Sequence, residues 1–238
     1  KLSKLEPDTY RGHFAKGMLL FGKGMANDVA ERLKYMPPAV EEFAKSVELN
    51  GKFWQGYLYR ANSYFHVANA KTFVKEDNKE TVEKAVADYK KVLELNDKFD
   101  RAAFFMGITY SLVKDYDNAI AAITKAIEMN ASAKYYSYRG EITRLKAESD
   151  LAAGKTESLV KTVDSAIADY TKVLELEPKT YYMYIQRAVV KEMKNDLKGA
   201  KEDLEKFLEL SPNHSNAKQV KEDLKALEKA LKEQEEKN

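Results

Sequence analysis

The sequence predicts an all-α fold, an α-solenoid of antiparallel helix pairs with a C-terminal capping helix, forming a single domain over residues 1–238. Three observations predict it. The amphipathic phrase ADYKKVLELND at Ala87–Asp97 returns as ADYTKVLELEP at Ala168–Pro178, with a looser copy, AIAAITKAIEMNA, at Ala119–Ala131. Each copy belongs to a stripe that pairs a small residue with a large one four positions on and a third residue three later. The stripes are Ala39–Phe43–Ser46, Ala85–Tyr89–Val92, Ala119–Ile123–Ala126, Ala166–Tyr170–Val173 and Ala200–Leu204–Phe207. That spacing is one face of an α-helix. Finally, only 10 Gly and 5 Pro accompany 44% apolar and 33% charged residues, the composition of a helix-rich globular chain rather than a disordered one.

Taken in order, the first pair is expected over residues 5–51. There YRGHFAKGMLL resembles YRGEITRLKAE further on, which sets Gly12 opposite Gly140. Pro37 and Pro38 would open its second helix, since proline fits a first helical turn. The second pair spans 54–98, with Ala61 and Tyr64 on its first helix and KEDNKE (Lys75–Glu80) as the turn. The third spans 100–131, marked by Gly107 and Tyr110, and the fourth 133–178, with Gly140 on the first helix and AAGKTES (Ala152–Ser158) at the tip. The fifth spans 181–212. Gly51, Asp97, Ala131, Pro178 and Pro212 stop the second helices. The small residues let paired helices approach closely, and the aromatics fill the space beside them.

The equivalent alanines stand 46, 34, 47 and 34 residues apart. The longer steps read as both helices of a pair growing by about two turns, because ~7 residues preserves the facing stripe. The last segment, 214–236, carries a narrow stripe of Val220, Leu224, Leu227 and Leu231. It is expected to cap the final pair, as solenoids require, with a short coiled-coil seam as the alternative.

This pattern resembles the tetratricopeptide repeat, whose consensus sets Trp, Leu, Gly, Tyr, Ala, Phe, Ala and Pro at fixed places in a 34-residue unit. The best match is Ala103, Met106, Gly107, Tyr110, Ala119, Ile123, Ala126 and Ala131. The last repeat supplies Tyr184, Arg187, Ala188, Lys191, Ala200, Leu204, Phe207 and Pro212, where Lys191 departs from the aromatic. The resemblance implies a right-handed superhelix and a non-enzymatic scaffold that binds a protein or peptide on its concave face.

By the same resemblance, the first helix of each pair lines that face. The residues placed there are Leu58, Asn62, Phe65, Arg101, Phe104, Ile108, Leu112, Lys134, Glu141, Tyr182, Ile185 and Val189. Most are apolar, so they form either a groove for an apolar or amphipathic segment or additional core. Relatives that clamp a chaperone's terminal carboxylate use five polar positions. Asn62 and Lys134 match two, while Leu58, Phe105 and Tyr138 replace the rest. A self-assembling protein using the long hairpins or the C-terminal helix is an alternative, and a carrier of hydrophobic small molecules is another.

Little points to chemistry. GMLLFGKG (Gly17–Gly24) and SDLAAGKT (Ser149–Thr156) imitate a phosphate-binding loop, but neither follows a predicted strand. His13, His66 and His214 show no metal-ligand spacing, and cysteine is absent. No catalytic residue, metal or cofactor is expected. A net charge of +2 gives no bias toward nucleic acid, and no apolar run approaches the ~18 residues of a membrane span. The sequence opens on Lys1, which suits a removed signal or upstream anchor as well as a trimmed cytosolic chain, so export and cytoplasm both stay open.

Overall fold

A computed structural model of the chain describes residues 6–25 and 28–236; the predicted start of the first pair, residue 5, lies outside them. Among the described residues there are eleven α-helices and no strand: α1 Tyr10–Gly24, α2 Val29–Leu49, α3 Trp54–Phe73, α4 Lys79–Leu95, α5 Asp100–Ser111, α6 Tyr116–Met129, α7 Ala133–Ala152, α8 Thr156–Leu176, α9 Tyr182–Met193, α10 Leu197–Leu210 and α11 Ala217–Glu235. They fall into two compact units, one ending at Asn130 and one beginning at Ala131.

The small–large stripe is the core of every pair. Ala39, Ala85, Ala119, Ala166 and Ala200 are fully buried, and so are Phe43, Tyr89, Ile123, Tyr170 and Leu204 or nearly so. The small residue on the facing helix lets them approach. A Cβ on Gly107 would stand 2.8 Å from the Ala119 carbonyl oxygen, and one on Gly140 would stand 2.9 Å from Cε1 of Tyr170. Either methyl would force the pair apart. In the first pair this role falls to Gly17, whose Cβ would stand 2.6 Å from Cε1 of Phe43. Gly12, expected opposite Gly140, packs instead on the backbone of Glu6 and Pro7.

The long hairpins are long because their helices are. α5 and α9 have 12 residues, whereas α3 and α7 have 20. α8 has 21 against 14 in α6 and α10, but α4 has only 17, so the second pair lengthens mainly through its first helix. The tips themselves are alike. Lys75, Lys114, Gly154 and Asn195 each take a left-handed φ of 59–68°. The next N–H in each case reaches back five residues, Glu76 to Lys71, Asp115 to Tyr110, Lys155 to Asp150 and Asp196 to Lys191, at 2.9–3.2 Å. That is the Schellman way of closing a helix C-terminus. Asp115 and Asp196 then cap the following helix through the N–H groups of Asn118 and Gly199.

α2 differs from expectation. It starts at Val29, with the Asp28 side chain accepting from Ala30 N–H at 2.9 Å, and Pro37 and Pro38 lie inside it. Two backbone donors are missing there, which costs stability. The cap, Glu31 near the positive end of the helix, and burial of Met36, Ala39 and Phe43 on one continuous face favour the longer helix over a start at the prolines.

In the second unit α11 lays Val220 and Leu227 on Ala200, Leu204 and Phe207 of α10, with Leu224 at the margin. It closes the last pair with an apolar stripe and leaves its other faces charged, as a cap must.

Candidate binding groove

A device absent from the expectations ties three of the pairs together. Arg60 makes a two-pronged bond to Asp88, each contact 2.7 Å. Arg139 does the same to Asp169 at 2.9 and 2.6 Å, and Arg187 to Asp203 at 2.8 and 2.6 Å. Each arginine precedes the small residue of the first helix, each aspartate precedes the large residue of the second, and each guanidinium packs over the tyrosine three residues earlier. The Asp of the repeated ADY phrase is therefore an interhelical latch. Recurrence of Arg before the small residue was the signal in the sequence. In the third pair Met106 and Ala122 occupy these positions, and in the first His13 reaches Glu42 at 2.7 Å. Burial raises the carboxyl groups of Asp88 and Asp169 above their ordinary values in spite of the arginines. Their desolvation cost offsets much of the Coulombic gain.

In the first unit the expected concave residues pack on their neighbours. Leu58 and Phe104 are core side chains, 9% and 2% exposed. Phe65 lies against His66 and Phe105. The series continues through Phe21, Tyr59 and Phe14 to Phe53. Asn62 accepts the Tyr89 hydroxyl at 2.8 Å, so its amide holds the core together. Ile108 and Leu112 are half-buried, and Arg101 is exposed on the first turn of α5.

The second unit has a groove instead. It measures about 500 Å³ and is lined by Ser137, Tyr138, Glu141 and Arg144 of α7, Tyr170 of α8, and Tyr182, Met183, Gln186 and Val189 of α9. The α7 and α9 residues recur at i, i+1, i+4 and i+7, so two helical stripes form the walls. Tyr138, Tyr182 and Val189 are exposed there, at 43%, 45% and 37%. At the base, Arg144 donates Nε and Nη2 to Glu141 at 3.1 and 2.7 Å and Nη1 to Glu148. Tyr170 donates its hydroxyl to Glu141 at 3.3 Å. Bonding to Glu141 raises the Arg144 pKa further, and burial followed by the Glu141 charge raises that of Tyr170. Both groups keep their protons. Gln186 has no hydrogen-bond partner among the described residues, leaving an amide donor and acceptor in the groove.

Of the residues expected on the concave face, the groove unites Glu141, Tyr182 and Val189. Lys134 is exposed on the first turn of α7, and Ile185 packs into the α9–α11 core. Reading α9 as Tyr182–Ile185–Val189 rather than Tyr182–Gln186–Val189 turned the face by one residue. Gln186 and Met183 were missed for that reason, and Tyr170 because its hydroxyl reaches through from the second helix. The phosphate-loop imitations lie on α1 and in the α7–α8 turn, with Gly17 and Gly24 packed on Phe43 and Met36. Among the described residues no group of three or more His, Asp or Glu could hold a metal, and no helix is long and apolar enough to cross a membrane.

The family model described as tetratricopeptide repeat matches residues 100–132 and 181–214, which hold α5–α6 and α9–α10. Those two helix pairs are tetratricopeptide repeats. Solved tetratricopeptide-repeat structures share the fold of the chain. MamA is 18% identical with a TM-score of 0.61, covering 85% of this chain and 94% of its own. YrrB, described as having an unusual peptide-binding site, is 16% identical with a TM-score of 0.59, covering 92% and 95%. MamA of Desulfovibrio magneticus RS-1 is 16% identical with a TM-score of 0.56, covering 90% and 98%. No curated protein sequence matches the chain.

Proposed function

We propose that this tetratricopeptide-repeat protein is a non-enzymatic scaffold that binds an extended peptide segment of a partner protein in the α7–α9 groove. The observation that carries this reading is three exposed apolar side chains, Tyr138, Tyr182 and Val189, lining one groove beside the unpaired amide of Gln186. Exposed apolar area with a few placed polar groups suits a peptide, whose side chains take the apolar walls while its backbone bonds the amide. The peptide-binding site described for YrrB, on the same fold, agrees with it.

The test is a random-peptide selection on the whole chain, with Tyr182→Ser/Val189→Gln as the counter-screen. Both side chains are exposed, so the variant keeps its fold. Selected peptides are expected to lose about tenfold or more in affinity, since anchor residues carry ~1–2 kcal/mol each. Peptides that bind native and variant protein equally would show that the groove is not the site.

Self-assembly is a second reading, favoured by Phe73, 76% exposed beside Val74 at the α3–α4 tip.

A further inference from the structure

The spacing and the charges of the groove select one kind of chain. Resting on the groove reading above, we propose that its occupant is an uncharged, proline-rich segment in the polyproline II conformation, with prolines three residues apart meeting Tyr182 and Val189.

The distance between the anchors selects the conformation. Tyr182 and Val189 both lie on α9, line the groove and are exposed. Seven residues is two helical turns, which sets them about 10.5 Å apart along the axis on one face. A polyproline II segment returns to the same side every three residues, or about 9.3 Å. A β-strand returns to it at about 6.6 and 13 Å, and so passes one anchor whenever it meets the other. A helical ligand matches the distance but is too wide. A helix about 10 Å across fills roughly 800 Å³ over that length, against about 500 Å³ in the groove.

The polar groups suit the same backbone. Proline has no N–H, and polyproline II has no internal hydrogen bonds, so its carbonyl oxygens take donors from outside. The Gln186 amide, between the two anchors on α9, and the Tyr182 hydroxyl have no hydrogen-bond partner among the described residues. Both can donate. Tyr138 and Tyr182 add the aromatic walls on which proline-rich segments dock.

The charges favour a neutral occupant. Glu141 and Arg144 are the ionic groups among the residues lining the groove, and they hold each other. Glu148 takes the third arm of the guanidinium, and the Tyr170 hydroxyl bonds Glu141 as well. A charged side chain would lose water there without gaining a free counter-ion, so an uncharged segment is the complementary one.

Four dodecapeptide probes test this, with binding to the whole chain read by fluorescence anisotropy. One repeats proline-alanine-glutamine. The others put valine in place of each proline, or lysine or glutamate in place of each glutamine. The proline–glutamine peptide is expected to bind about tenfold tighter than the valine peptide, because its conformation is already set. It should also bind more tightly than the lysine and glutamate peptides, and lose about tenfold with Tyr182→Ser/Val189→Gln. Gln186→Leu should cost it about fivefold, the worth of one hydrogen bond. Equal binding of the proline and valine peptides, weakened alike by Tyr182→Ser/Val189→Gln, overturns the proposal and leaves the groove standing. Tighter binding of either charged peptide, or no binding of the proline–glutamine peptide, also overturns it. Binding that is indifferent to Tyr182→Ser/Val189→Gln overturns the groove reading and this proposal together.

Discussion

At the scale of the residue, His66 shows how a titratable side chain becomes part of the packing. Its ring meets Phe21 and Phe65 edge-on, at 5.7 and 5.3 Å between centroids. Burial, then the charge of Arg32, push its pKa down to about 4 from 6.5. The folded state therefore prefers the neutral ring, and the unfolded state takes the proton first as pH falls. The associated stability is fully present above pH 6.5 and is lost on descending toward 4, up to about 3 kcal/mol. Urea unfolding at neutral pH and near pH 4 should show native protein losing about 2–3 kcal/mol more than His66→Gln. Equal losses would mean that the ring is solvated.

At the scale of the element, the arginine latches explain why the ADY phrase is so well kept. Its alanine and tyrosine build the stripe, and its aspartate, 3% exposed in Asp169, needs a partner from the facing helix. Arg139→Ala would leave that carboxylate buried and unpaired, a loss of about 3–5 kcal/mol. Arg139→Met/Asp169→Leu removes both charges at similar volume and should cost well under half as much. Chemical denaturation of the two variants decides it; a double variant as unstable as the single one would assign the cost to packing. The helices themselves were largely legible in the sequence. Their stripes, stops and lengthening follow from 3.6-residue periodicity, which is local. The start of α2 was not, because the prolines suggested a first turn while the distributed burial of Met36, Ala39 and Phe43 outweighed them.

At the scale of the whole molecule, some exposed apolar side chains outside the groove stand together at hairpin tips. Phe73 and Val74 stand at the α3–α4 tip, and Leu151 and Val160 beside the α7–α8 tip. Both lengthened hairpins thus carry apolar surface at their tips, which is costly to leave in water. If the tips mediate self-assembly, light scattering should show mass rising with concentration for the native chain and a constant monomer mass for Phe73→Ser/Val74→Ser. A native chain that stays monomeric throughout would remove the assembly reading and leave the groove as the functional surface.

By itself the sequence determined the helix pairs, the stripe buried on each second helix, the turns and the cap, because each is written in spacings of three to seven residues that a helix converts directly into faces. Only the tertiary structure decided which of two similar apolar faces is core and which is open. Phe65 meets Phe105 from a neighbouring pair and the space between them fills, whereas Tyr182 and Val189 border a gap floored by the Glu141–Arg144 fork. That outcome depends on which side chain arrives from a helix some forty residues away, and no local period encodes it.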